Sequence, residues 1–184
     1  MQPKRFSVKY FVEGESSFDL AVLTPIFHRW IQQHSIEGLL IDVADYKHVF
    51  QGPGIILIGH EADYAFDLKD GRPGLRYIRK QSAAESLTDS FQLAFRLALA
   101  ASKKLETEPE LNGVRFNTAE AEIVFLDRLN VPNTPETLKR LLGDIQAAAS
   151  AQYQTKTVQV ESVESDTRKS LTVRIVASQE SVAK

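Results

Sequence analysis

A chain of 184 residues, 43% hydrophobic and 25% charged, has ordinary globular composition and is long enough to bury a core without covalent staples. It contains no cysteine, which excludes disulfides, thiolate metal sites, iron–sulfur clusters and a cysteine nucleophile. Its 22 basic and 24 acidic side chains give a net charge of −2, so the basic footprint that neutralises phosphates is missing and nucleic acid is not an expected partner.

The N-terminal stretch is cut by Lys4, Arg5, Lys9 and Glu13 and lacks the apolar core of a signal peptide. No apolar run approaches the ~20 residues of a membrane helix. A cytoplasmic location without membrane insertion is therefore expected. Phe6, Val8, Tyr10 and Val12 alternate with Ser7, Lys9 and Glu13, which predicts a strand with one buried face, while Phe11 interrupts the polar side.

A helix follows, with Ser16 or Ser17 as cap, Asp19 in the first turn and an apolar stripe of Leu20, Leu23, Phe27, Trp30 and Ile31. Pro25 offers a later start, with Thr24 as cap, and Gly38 closes the element. His28 and His34 are six apart and cannot share a helix face as a metal pair would. Leu39 to Ile41 are apolar without interruption, which predicts a central strand in "GLLIDVADY". Strands are also expected in "IILIGHE", in the alternation of Tyr64, Phe66 and Leu68, and, after a turn at Asp70 and Gly71, in "LRYIRK".

Leu87, Phe91, Ala94, Phe95, Ala98 and Leu105 mark a second helix, opened by a capping pair of Ser86 and Asp89. A hairpin is predicted next, turning at Thr118 to Glu120, with Val114 and Phe116 facing Ile123 and Phe125. Thr134 caps a third helix with Pro135 in its first position and a stripe of Leu138, Leu141, Leu142 and Ile145. A last hairpin turns near Ser165 to Arg168 and sets Val158 and Val160 against Leu171, Val173 and Ile175. The sum is an α+β fold: a mostly antiparallel β-sheet with about three helices packed on one face, in a helix-then-hairpin organisation. One domain spans 1–178, and 179–184 form a frayed tail.

The segment from Gly52 to Gly74 holds five of the nine glycines. Its "GPG" and "DGRPG" stretches match neither a P-loop nor a dinucleotide fingerprint and read as turns. His60, Asp63 and Tyr64 are the candidate catalytic residues, since a histidine beside a carboxylate can move a proton. Convergence of His60 and Asp63 requires a bulge at Gly59 or a turn of the chain there. Asp42, His48 and Arg76 complete a candidate ligand pocket, and Asn133 and Thr134 sit at the helix N-terminus best suited to an anion. No metal site and no cofactor is implied. Arg72, Arg76, Arg79 and Lys80 read as a solvated strand face.

With no catalytic constellation in evidence, the expected function is a non-enzymatic binding protein. It would act through self-association, as a possible homodimer, or through a protein partner, and the Leu171 to Ile175 strand is a candidate pairing edge. The alternative is a small-ligand-binding protein or enzyme with its pocket around Asp42, His48, His60, Asp63, Tyr64 and Arg76.

Overall fold

The structure, a computed structural model, describes residues 3–14, 18–81, 86–155, 157–163 and 166–177. The expected cap at Ser16 or Ser17, the turn position Ser165 and the 179–184 tail lie outside the described residues. Among the described residues the fold is α+β, with eight strands in one antiparallel sheet and three α-helices. In chain order these are β1 (Phe6–Val12), α1 (Leu23–Gln33), β2 (Leu40–Tyr46), β3 (Gly54–Gly59), β4 (Ala62–Asp67), β5 (Gly74–Arg79), α2 (Leu87–Glu106), β6 (Phe116–Phe125), α3 (Pro135–Tyr153), β7 (Val158–Ser162) and β8 (Thr172–Ala177). The order across the sheet is β2-β3-β4-β5-β1-β6-β8-β7.

β1 lies near the middle because both its neighbours complement its alternation. Phe6, Val8 and Tyr10 register with Arg79, Tyr77 and Leu75 of β5, and with Phe125, Ile123 and Ala121 of β6. These residues share one sheet face with Tyr64, Phe66, Val173 and Ile175, and the helices cover it in a single hydrophobic cluster. α1 packs over β2 and β3, α2 over β1, β5 and β6, and α3 over β7 and β8. Within the helical layer the buried Glu108, just after α2, ties α1 to it by accepting from Trp30 Nε1 at 2.7 Å. Among the described residues no α-helix covers the opposite sheet face.

Several expectations are corrected. β2 is an edge strand, not a central one: it pairs with β3 at the end of the sheet order, which leaves Leu39 and Ile41 of its apolar run exposed. β8 is interior, paired with β6 on one side and β7 on the other, so Leu171 to Ile175 is no free edge. The expected hairpin at Thr118 to Glu120 is one continuous strand, β6. There the Asn117 side chain accepts from Ala119 N at 2.9 Å, which satisfies the turn-forming residues locally while the chain runs on. α1 starts earlier than Thr24, from a short 3-10 turn over Leu20–Val22 capped by Asp19. Pro25 is accommodated in the first helical turn, where its missing N–H has no partner to lose. The helix stops at Gln33, with His34 left-handed at φ 50°, instead of continuing to Gly38.

The glycine-rich segment also differs from a set of turns. Gly54, Gly59 and Gly74 belong to strands β3 and β5. A Cβ on Gly54 would stand 2.1 Å from the Phe66 carbonyl oxygen, and one on Gly74 2.3 Å from that of Tyr10. Glycine is required at these two positions because neighbouring backbones approach too closely for any side chain.

Candidate functional site

The structure disperses the residues that the sequence brings to mind as a pocket. His60 stands exposed in the turn from β3 to β4, and its side chain makes no hydrogen bond or ion pair among the described residues. His48 lies in the loop at the far end of β3 and stacks on Tyr46 with ring centroids 6.5 Å apart. Six residues of β3 separate the two ends, on the order of 20 Å of strand. Asp63 and Tyr64 are strand neighbours and point to opposite faces. Asp63, on the bare face, accepts from Gly59 N at 3.2 Å and from Lys80 Nζ at 2.7 Å. Tyr64 is buried under the helices, edge-on to Tyr77 at 5.4 Å, and burial pushes its phenol well above the ordinary value.

Asp42 is exposed on β2 and accepts from the adjacent Val43 N at 2.8 Å. Asn133 is buried and donates from Nδ2 to the Asp166 carbonyl at 3.0 Å. Thr134 caps α3 by accepting from Thr137 N at 3.3 Å. Asn133 borders a cavity of about 410 Å³ with Arg128, Leu129, Pro132 and Thr167. Tyr64 borders a small one of about 40 Å³ beside Glu61 and Leu97.

Arg76 belongs to a different assembly, which the sequence does not announce. On the bare face it joins Lys9 and Asp67 in a buried ionic cluster. Asp67 takes Arg76 Nε at 2.6 Å on one oxygen and the Lys9 ammonium on the other. Arg76 also donates to Ser7 Oγ at 3.0 Å and to Glu122 at 3.2 Å, and Lys9 donates to the Arg72 carbonyl at 2.6 Å. The Arg72 guanidinium lies 3.7 Å from the centre of the Phe11 ring and bonds Glu120 at 2.8 Å. Burial pushes the Lys9 ammonium below the usual lysine value, with Asp67 offsetting part of that shift. Burial also opposes the charged form of Asp67, but Arg76 and Lys9 outweigh it and hold the carboxyl below its usual range.

Chemically this cluster is closed. Among the described residues no buried side-chain nitrogen or oxygen lacks a hydrogen-bond partner, so Lys9 and Asp67 have their donors and acceptors engaged within the fold. Lys9 is read from sequence as the solvated side of an alternating strand. It is buried because its cross-strand neighbours on both sides, Arg76 and Glu122, are long enough to fold over it. The expected solvated face of Arg72, Arg76, Arg79 and Lys80 is corrected in part: Arg76 and Arg79 are both buried.

No family model, curated protein or solved structure matches this chain. Among the described residues no group of three or more His, Asp or Glu is placed to hold a metal ion, and no helix is long and apolar enough to cross a membrane.

What the described surface does present is an apolar margin at β2. Phe50 is 91% exposed, Leu39 61% and Ile41 56%, and Tyr46, Val49 and Leu68 are also exposed. These make six of the nine large apolar side chains exposed among the described residues; five lie on or beside β2 and the loop at its end, and Leu68, which follows β4, joins Val49 and Phe50 there. Val49, Phe50 and Leu68 line a cavity of about 320 Å³ with Leu20, Lys47 and the Gly52 and Gly54 backbone. Sequence reasoning missed this site because an unbroken apolar run looks the same whether a sheet or a partner covers it.

Proposed function

We propose that this is a non-enzymatic interaction protein that binds another protein chain through the β2 margin. The observation that carries the proposal is the difference between the two sheet edges. β7 ends the sheet with Gln159, Glu161 and Ser162 exposed, the polar dress that keeps an edge from pairing. β2 exposes Ile41 and Tyr46 beside Asp42 and Asp45, but it is flanked by exposed apolar side chains, Leu39 just before it and Val49 and Phe50 in the loop that follows. Contiguous exposed apolar side chains along an unpaired edge mark a surface that a partner covers. Protein, and not a small ligand, is the favoured occupant, because the surface is a strand edge with unpaired backbone groups that another strand can extend.

The test is recovery of the tagged chain from its own cells beside an Ile41→Asp, Phe50→Asp variant. The expected result is a protein in stoichiometric amount with the original chain, whether a second copy or another polypeptide, that the variant loses while melting at the same temperature. A chain recovered alone and monomeric, or a variant that keeps the same companion, would contradict the proposal.

A further inference from the structure

We infer that the partner at the β2 margin is a second copy of this chain, paired β2 to β2 in antiparallel register about a two-fold axis at Ala44. This rests on the interaction function proposed above and names its occupant. A sheet that continues through an isologous contact has its two-fold axis perpendicular to the strands and to the sheet plane. Each residue then opposes one on the same sheet face, so one residue of β2 must oppose its own copy. Leu40, Ile41 or Tyr46 at the axis would bring only an end of the strand into register with its copy. Asp42 or Asp45 at the axis would set a carboxylate directly against itself, which is unfavourable. Val43 at the axis would draw in Ile41, where the register to β3 already shifts between Leu40 and Asp42.

Ala44 remains. It uses only the regular residues from Asp42 to Tyr46 and sets Val43 opposite Asp45 of the second copy. Small side chains meet at the axis, and Asp42 opposes Tyr46 of the second copy on the bare face, where the phenol O–H can donate to the carboxylate. Asp45 becomes a diagonal neighbour of its own copy, but it is already paired with Lys47 at 3.2 Å. The Val43 N–H, held by Asp42 in the single chain, becomes free to bond the Asp45 carbonyl of the second copy as Asp42 turns to Tyr46.

The exposed apolar side chains share the same symmetry. Leu39 and Ile41 precede Ala44, and Val49 and Phe50 follow it, so the two-fold brings the beginning of one margin to the end of the other. Both ends are needed. Five paired residues span only about 17 Å of edge, which is short of the ~800 Å² that a stable association buries on each partner. The exposed side chains at both ends of the margin, Leu39, Ile41, Tyr46, Val49 and Phe50, add their area to it.

The absence of cysteine gives a direct test. Opposed strand residues have Cα separations of about 4.5–5.5 Å, inside the disulfide range. Ala44→Cys is therefore expected to form a covalent dimer under mild oxidation, far faster than Glu161→Cys on the other edge. In sedimentation equilibrium the original chain is expected to be a dimer. Ala44→Lys, which sets two ammonium groups at the axis, should raise its dissociation constant at least tenfold with the circular dichroism unchanged. An original chain that stays monomeric at high concentration, a dimer indifferent to Ala44→Lys, or equal cross-linking at the two edges would overturn the inference. Interaction through the margin falls only on the recovery experiment, where a foreign protein could still be found.

Discussion

Asp67 stands between two cations that reach it from different strands, Lys9 of β1 and Arg76 of β5, and all three are buried. Removing the shared carboxylate leaves two buried cations facing each other. Asp67→Asn is thus expected to lower stability by about 3–5 kcal/mol in urea unfolding, the scale of breaking a buried pair from one side. A loss under ~1 kcal/mol would mean that the cluster contributes little. Because its folded pKa is depressed, Asp67 stabilises the fold at pH values above the unfolded carboxylate value of ~3.9 and loses that contribution as pH falls through the folded value. Acid unfolding of the original chain should therefore be steeper below about pH 4 than that of Asp67→Asn.

Two glycines give a paired prediction at the same scale. Gly74→Ala forces a Cβ against the Tyr10 carbonyl and should lower the melting temperature, whereas Gly143, on the surface of α3 with nothing within 4 Å, should become more stable as alanine. Helix propensity puts that gain at about 1 kcal/mol, or ~2–4 °C for a chain of this size. Opposite signs from one chemical change are the outcome that calorimetry should record.

At the scale of elements, capping and periodicity were legible and pairing partners were not. Ser86 accepts from Asp89 N at 3.1 Å, and Thr134 and Pro135 open α3, because a cap is a contact between residues close in sequence. The buried side of α2 follows its stripe for the same reason. Whether β2 has one neighbour or two is decided by residues far along the chain, and so is the burial of Lys9. The pocket drawn around His60 was a grouping by sequence proximity, and the fold places His60 and His48 at opposite ends of β3. Phe50 and Ile41 make the element-scale prediction. Ile41→Ser and Phe50→Ser should weaken association while leaving the melting temperature of the single chain within ~2 °C, since exposed side chains contribute little to its core. A large fall in stability would show that they pack within one chain.

At the scale of the whole molecule, the sheet has two faces and two open edges, each of different character. One face is sealed by α1, α2 and α3. The other is bare but netted by ion pairs, with Arg72 and Arg174 reaching Glu120, Arg76 reaching Glu122, and Lys80 reaching Asp63. Charges already matched within the chain offer little to an outside partner. Of the two open edges, β7 exposes Gln159, Glu161 and Ser162, whereas β2, with Asp42 and Asp45 exposed, is flanked by exposed Leu39, Val49 and Phe50, which is why we propose β2 as the growth point of the sheet.

Edge-to-edge association makes an elongated particle, and small-angle scattering reads that shape directly. A single compact chain of this length has a radius of gyration of about 16 Å. Two copies joined at β2 have centres separated by the width of eight strands, ~38 Å, and a combined radius of about 25 Å. A value near 25 Å, with a second maximum in the distance distribution near 40 Å that Ala44→Lys abolishes, is the predicted result. A radius near 16 Å at every concentration, or a compact dimer with a single maximum, would contradict pairing through β2.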